Sequence, residues 1–321
     1  MDIPQSICSQ AREKSRAKRA AAQGTSFLSL RLAAFVNCAA LVIACAFLFI
    51  NGIGALNLDF VLQSPREMMT AGGVFPCLVG TFLLAAGAIA IALPFGVACA
   101  VWLHEYGKQG PVVDIVRLSV ANLAGVPSIV FGLFGLAFFV TALGFNVSLL
   151  SGILTLAVLT LPVIINTTEE ALKQVPRAWR DASLALGATK SQTIGRVVLP
   201  SALPGILTGA ILAVARAAGE TSAVMFTGAV FYTPKLPESV WSSVMALPYH
   251  MYVLATAGTE IEKTRPMQYG TGLLLVLLVF AMNLAAILIR DKMQKKRLHN
   301  PRNRARGFRL SEHDFHQSCT A

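Results

Sequence analysis

Five stretches of this sequence run without a charged side chain for about the length needed to cross a bilayer, and a sixth carries only two charges. A spanning helix needs about 20 mainly apolar residues. Leu32–Ile50, Leu78–Leu103 and Tyr269–Ile289 each qualify. Leu118–Thr168 is long enough for two helices, with the polar, glycine-containing Leu143–Ser148 as the turn between them. Pro204–Phe226 is apolar apart from Arg216 and Glu220. Only 13% of the 321 residues are charged, about half the share found in soluble domains. A soluble enzyme, a disordered chain, a coiled coil and a disulfide-rich secreted module are excluded. The fold class is an all-α, polytopic membrane protein of six transmembrane helices.

One further uncharged stretch, Ser239–Thr259, contains three serines, Pro248, Tyr249 and His250. The distribution of basic residues decides its reading. With six crossings, 22 of the 27 Lys and Arg fall in the two tails and the loops on one side, and only Arg66, Lys235, Lys263 and Arg265 face the other. Such asymmetry marks the cytoplasmic side. It predicts both termini in the cytoplasm, in a multi-pass protein of the cytoplasmic (inner) membrane. A seventh crossing would export the most basic segment, so Ser239–Thr259 is expected as an outer re-entrant or interfacial element, buried in protein or lining a wet cavity. The organisation is then a basic tail (1–31), a first transmembrane helix with an outer loop (32–77), a transmembrane domain (78–289) and a second basic tail (290–321). The apolar run of the first helix exceeds that of a cleaved signal peptide.

The net charge of +11 sits mainly in those tails. Neither interleaves aromatic residues with its basic ones, so nucleic acid is not an expected partner, whereas anionic membrane lipid is. The six cysteines form no CxxC pair, and most behave as small apolar residues within the spans. No metal cluster, catalytic constellation or G-x-x-x-x-G-K-[ST] phosphate loop occurs. His104 and His250 are expected as interfacial hydrogen-bonding residues. Glycine and proline interrupt the spans at Gly80, Gly87, Pro94, Gly96, Gly125, Pro127, Gly132 and Gly135, and Gly205-x-x-x-Gly209 opens another. Small residues let helix backbones approach, and interrupted helices suit a bundle that moves around a pathway.

The long loop at 168–201 is the most informative segment. Ala and Leu favour helix over Asp181–Leu186, Gly187 breaks it, and Thr189-x-x-Gln192 fits a capping box that opens a second short helix, which Pro200 is expected to end. Trp179, Leu184 and Leu186 are candidate contacts for a partner. Asp181-Ala182-Ser183, three residues, Gly187, nine residues and Val197-Val198-Leu199-Pro200 resemble the E-A-A…G…I-x-L-P loop of ABC importer permeases, with Asp for Glu, Ser for Ala and Val for Ile. The resemblance implies that Asp181, Ala182, Ser183, Gly187, Val197, Leu199 and Pro200 form a loop that docks on a cytoplasmic ATPase dimer and transmits its closure. ATP and Mg would be bound by that partner, this chain being no enzyme and holding no cofactor itself.

His104-Glu105-Tyr106-Gly107, Val126-Pro127-Ser128-Ile129-Val130-Phe131-Gly132, Ala185-Leu186-Gly187-Ala188-Thr189-Lys190 and Arg216-Ala217-x-Gly219-Glu220-Thr221 are similar to phosphate importer permeases, and Asn166-Thr167-Thr168-Glu169 and Ala246-Leu247-Pro248 resemble the PstA type more than its sibling. They imply a second permease subunit, an extracytoplasmic phosphate-binding protein and alternating access. Arg216 and Glu220, four residues apart, are expected to share one helix face. A lone mid-bilayer charge costs at least about 2.5–3.5 kcal/mol. The pair either neutralises itself between helices, or Arg216 faces the pathway and receives a tetrahedral oxyanion while Glu220 orients it. Glu105-Tyr106 is expected to brace the loop. The sibling phosphate permease, a sulfate or molybdate permease and a secondary transporter are the alternatives, the last leaving the loop unexplained.

Overall fold

The computed structural model describes residues 5–69, 71–107, 110–257 and 261–298. Lys108, Thr259, Arg302, Arg304, Arg306, Arg309 and Cys319 lie outside the described residues. In chain order the elements are α1 (Gln5–Gly52), α2 (Leu58–Leu62), a two-residue hairpin of β1 (Pro65–Arg66) and β2 (Ala71–Gly72), then α3 (Phe75–Val101), α4 (Pro111–Gly125), α5 (Ser128–Gly135), α6 (Leu149–Lys173), α7 (Arg177–Ala185), α8 (Lys190–Thr193), α9 (Leu199–Gly219), α10 (Ser222–Thr227), α11 (Leu247–Thr256) and α12 (Ile261–Leu298). Pro65 pairs with Gly72 and Arg66 with Ala71, antiparallel.

Five continuous segments are long and apolar enough to cross a membrane: Ser29–Ala55, Phe75–Tyr106, Leu149–Lys173, Lys190–Gly219 and Thr264–Met293. The bent pair Pro111–Gly125 and Ser128–Ala142, meeting at 104°, brings the number to six when it is counted as one span. The plain helix expected from Leu118 is therefore replaced by a bent pair. Pro127 lacks an N–H and crowds the residue before it; Val126 accordingly turns extended and ends α4.

Helix α9 also departs from the expected span. Pro200 does not end the second loop helix. Residues Ile194–Val198 run in wide π turns that carry α8 into α9, and Pro200 falls in the first turn of α9, where a missing N–H leaves little unsatisfied. At the other end α9 stops at Gly219, Glu220 is extended, and α10 resumes two residues later. Two broken helices meet here, since Gly132 of α5 lies against the Ser222 carbonyl and Ala223 of α10.

The core follows α3, α6 and α9. Leu84, Ala88, Leu156 and Leu159 pack with Phe131, Ala223 and Val224. Toward the α7–α8 end, Leu172, Val175, Val198 and Ile206 form a second cluster. Backbones approach through small residues. A Cβ at Gly80 would strike the Met245 carbonyl oxygen, and one at Gly205 would lie 2.5 Å from the Ala171 Cβ. Helix α1 is peripheral, touching α12 through Phe47 and Tyr269, whose rings meet edge-on with centroids 5.5 Å apart.

Ser239–Ala257, the described part of the ambiguous stretch, does not cross. Its one helix, α11, has 10 residues, half the length a span requires. The irregular chain before α11 caps α6. The N–H of Ser148 donates to the Thr227 carbonyl (3.1 Å), Leu149 to Ser242 (2.8 Å) and Leu150 to Val240 (2.9 Å), and Ser151 donates to the Ser148 hydroxyl (3.2 Å). The four orphan donors of a helix start are thus all satisfied inside the protein. Leu247 N–H donates to the Thr81 hydroxyl of α3 (2.8 Å), fixing α11 to the same end. The expected interfacial role of His250 is not what the fold gives: its ring is 2% exposed and neither nitrogen has a partner.

Gly80→Ala is expected to lower the detergent-solubilised unfolding temperature more than Gly87→Ala. The first places a methyl against a backbone carbonyl, whereas the second meets only the Ile153 side chain, Cδ1 at 2.5 Å and Cγ1 at 2.8 Å. The gap should lie within the ~1–3 kcal/mol usual for overpacking, read as the difference between the two thermal midpoints.

Candidate functional site

At one end of the bundle, α6 gives way to α7 across Pro176, and α7 to α8 across Gly187. Gly187 has φ +80° with nothing near its missing Cβ. Backbone conformation alone therefore requires glycine there. Thr189 forms the expected capping box, accepting from the Gln192 N–H (3.3 Å) while Gln192 Oε1 accepts from the Thr189 N–H (3.0 Å). Helix α7 buries no residue. Asp181 and Ala182 are exposed, as are Trp179, Leu184 and Leu186, the last at 88%. A knob of exposed apolar side chains grouped on and just beyond a well-formed helix suits contact with a partner. Beneath it lies a groove lined by Gln174, Val175, Pro176, Trp179, Ser201 and Pro204.

The knob is held from inside by polar contacts. Arg180 donates from Nε and Nη2 to Glu105 Oε1 (3.1 and 2.8 Å), from Nη1 to the Val175 carbonyl (2.6 Å) and from Nη2 to the Leu172 carbonyl (3.0 Å). The two side chains are 16% and 10% exposed. The Ser183 and Thr193 hydroxyls bond at 2.9 Å, joining α7 to the last residue of α8. Serine in place of the second alanine thus provides a tie between the loop helices. Lys190 Nζ lies 5.0 Å from the Tyr106 ring centroid. Nearby, Arg117 of α4 pairs with Glu169 of α6 (3.3 Å) and reaches the Leu103 carbonyl (3.4 Å). His104 Nε2 is 3.8 Å from Glu105 Oε1. Val197, Leu199 and Pro200 lie on the π turn and the start of α9, half-buried, with Val198 fully buried among them.

The second group of singled-out residues sits at the break of α9. Arg216 is in its last turn, and Ala217 and Ala218 pack on Ala85 of α3. Glu220 lies beyond the helix end. The shared helix face expected of Arg216 and Glu220 is therefore absent, and no ion pair joins them among the described residues. Gly219 lowers helix propensity, and the chain leaves the helix there. Arg216 and Gly219 are exposed and Glu220 half-exposed, with open space beside Gly219. At about 2.5–3.5 kcal/mol or more for a charge in hydrocarbon, such a face suits a wet interior or a partner rather than lipid.

Sequence reading missed Arg117, Glu169 and Arg180. Their signal was present in Glu169 and Arg117 standing at the very ends of uncharged runs, where a charge that is not needed for pairing reaches water readily.

Five continuous apolar helices and one bent pair, with a helix–glycine–helix knob at one end, define a polytopic α-helical membrane protein. The chain belongs to the family described as binding-protein-dependent transport system inner membrane component, which matches residues 92–299. It is similar to the probable ABC transporter permease protein YqgI of Bacillus subtilis, with 33% identity over 279 residues covering 82% of this chain and 94% of that one. It is also similar to the phosphate transport system permease protein PstA 1 of Mycobacterium tuberculosis, with 40% identity over 228 residues, 71% of this chain and 73% of that one. The crystal structure of a bacterial alginate ABC transporter in complex with its alginate pentasaccharide-bound periplasmic protein shares the fold at TM-score 0.55, with 13% identity, over 88% of this chain and 96% of that one.

Gly187→Ala is expected to strain the loop by about 1–2 kcal/mol. That corresponds to about 5–30-fold more local opening, read as the rate of tryptic cleavage at Lys190 and Arg196. Asn, which tolerates the left-handed region better, is expected to fall between Gly and Ala.

Proposed function

We propose that this chain is a membrane-spanning permease subunit of an ATP-driven importer that moves inorganic phosphate inward by alternating access. The observation that carries the reading is the continuity from knob to charge. The exposed face of α7 leads through Gly187, α8 and the π turn of Ile194–Val198 into α9, and α9 ends in Arg216 and Gly219 at an open, discontinuous site. In this proposal Asp181, Ala182, Ser183, Gly187, Val197, Leu199 and Pro200 form the loop that docks on a cytoplasmic ATPase dimer, which binds ATP and Mg. Closure of the ATPase displaces α7 and α8, and α9 follows because no flexible linker separates them.

Arg216 offers a planar guanidinium suited to bidentate contact with a tetrahedral oxyanion. Glu220, on the extended segment, limits how tightly the anion is held. A second permease subunit covers the open face, so that the path runs between the two chains, and a phosphate-binding protein delivers substrate at the α11 end. Both termini are cytoplasmic, as the basic asymmetry favours. The phosphate assignment is supported by relatives such as the Mycobacterium tuberculosis permease, together with an exposed cationic residue, Arg216, that forms no ion pair among the described residues.

The test is uptake of labelled phosphate at low concentration in cells lacking this chain, with and without its restoration. Restored, sulfate-resistant uptake that requires an active ATPase is expected. Uptake that survives an inactive ATPase would favour a secondary transporter, and no uptake would remove the phosphate assignment in favour of another oxyanion. Arg216→Ala is expected to abolish uptake while the complex still assembles. Arg216→Lys keeps the charge but loses the fork, and is expected to retain only a small fraction of uptake. Normal uptake in both variants would exclude Arg216 from the pathway.

A further inference from the structure

The covalent route from α8 into α9 is not the only connection from the loop to the interior. The end of α3, in π turns over Trp102–Tyr106, presents two adjacent side chains, and each holds a different loop helix. Glu105 accepts two hydrogen bonds from Arg180 of α7 (3.1 and 2.8 Å). Tyr106 lies beneath Lys190, the first residue of α8, at 5.0 Å. Arg180 directs two further N–H groups to the Val175 and Leu172 carbonyls, so a single guanidinium fastens α7 to the end of α6 and to the end of α3 together. The Ser183–Thr193 hydroxyl bond (2.9 Å) makes the two loop helices one body. Along its length α3 meets the helices that carry the interior site: Gly96 receives Ile164 of α6 at 2.6 Å from the position of a Cβ, and Ala85 packs on Ala217 and Ala218, next to Arg216.

We propose that Glu105–Arg180 and Tyr106–Lys190 form a two-point clasp that makes α3 a second transmission element, so that loop displacement reaches the Arg216 site from two sides of α9. The proposal rests on the importer reading above. Glu105 and Arg180 are positioning residues: neither touches substrate, and both act by keeping α3 in step with the loop. A half-buried charge pair is suited to this, because breaking it leaves an uncompensated charge and the alternative arrangement is strongly disfavoured. Lys190 over Tyr106 is the weaker point, being exposed.

The experiment uses the assembled transporter in proteoliposomes, with its partner permease, ATPase and phosphate-binding protein, measuring ATP hydrolysis and phosphate uptake together. Glu105→Gln is expected to leave hydrolysis within about twofold and to raise ATP consumed per phosphate about tenfold, within the usual range of coupling between sites. The double variant Glu105→Gln/Arg180→Gln is expected to uncouple no further than the worse single one, since both break one link. A purely structural role would instead lower assembly and hydrolysis together and leave the ratio unchanged, and an unchanged ratio overturns the clasp. Should Glu105→Gln not assemble, Tyr106→Leu and Lys190→Ala decide: a partial rise in the ratio supports the clasp, and a normal ratio overturns it. An unmodified transporter that hydrolyses ATP without moving phosphate overturns the importer reading itself, and the clasp with it.

Discussion

In hydrocarbon no water is present to satisfy a backbone N–H or C=O, so every interruption of a helix must find its partners in protein. The arrangement of this chain depends on that constraint. Its two breaks, at Val126–Pro127 and at Glu220–Thr221, are placed where another broken helix lies alongside, with Gly132 of α5 against Ser222 and Ala223 of α10. Its longest irregular stretch, together with the end of α10, is tied to α6, where the Thr227, Val240 and Ser242 carbonyls accept the free donors of the helix start. Discontinuity is thereby confined to one zone of the bundle, which is also where Arg216 sits.

Helix contacts around this zone depend on small residues rather than on large apolar ones. Apolar side chains gain little from leaving lipid, so close backbone approach and polar pairing hold membrane helices together. Gly80, Gly87, Gly96, Gly205 and Gly209 each bring α3 or α9 to near contact with a neighbour. At Gly80 and Gly205 the neighbour is a backbone carbonyl or an alanine Cβ, so no flexible side chain stands between the packed segments to absorb a displacement. The polar ties at the α7–α8 end complement this packing, joining crossings beside the buried cluster that holds Leu172 and Val198.

Much of the site was legible in the sequence. The crossings, the non-crossing Ser239–Ala257 stretch and the helix–Gly187–helix loop follow from charge-free length, basic asymmetry and local capping chemistry, all of which act within a few residues. The Thr189–Gln192 capping box is a strictly local device and formed as expected. Pro200 and the Arg216–Glu220 spacing misled for the same reason in opposite directions. Proline stops a helix only if its missing donor and its ring clash fall in the interior, and the π turn before it moved Pro200 into a first turn. Residues four apart share a face only if the helix continues between them, and Gly219 ends it.

The sequence by itself determined which segments are long and apolar enough to cross, that Ser239–Ala257 is not among them and where the loop turns, because these depend on the cost of charge in hydrocarbon and on backbone preferences of single residues. The tertiary structure alone decided that Glu105 meets Arg180 across 75 positions, that Glu169 meets Arg117, that Ser183 meets Thr193, and that Arg216 remains open while Glu220 turns aside. Pairings of this kind depend on where separate helices end relative to one another. That register is set by the packing of α3, α6 and α9 as a whole, and no local pattern of residues encodes it.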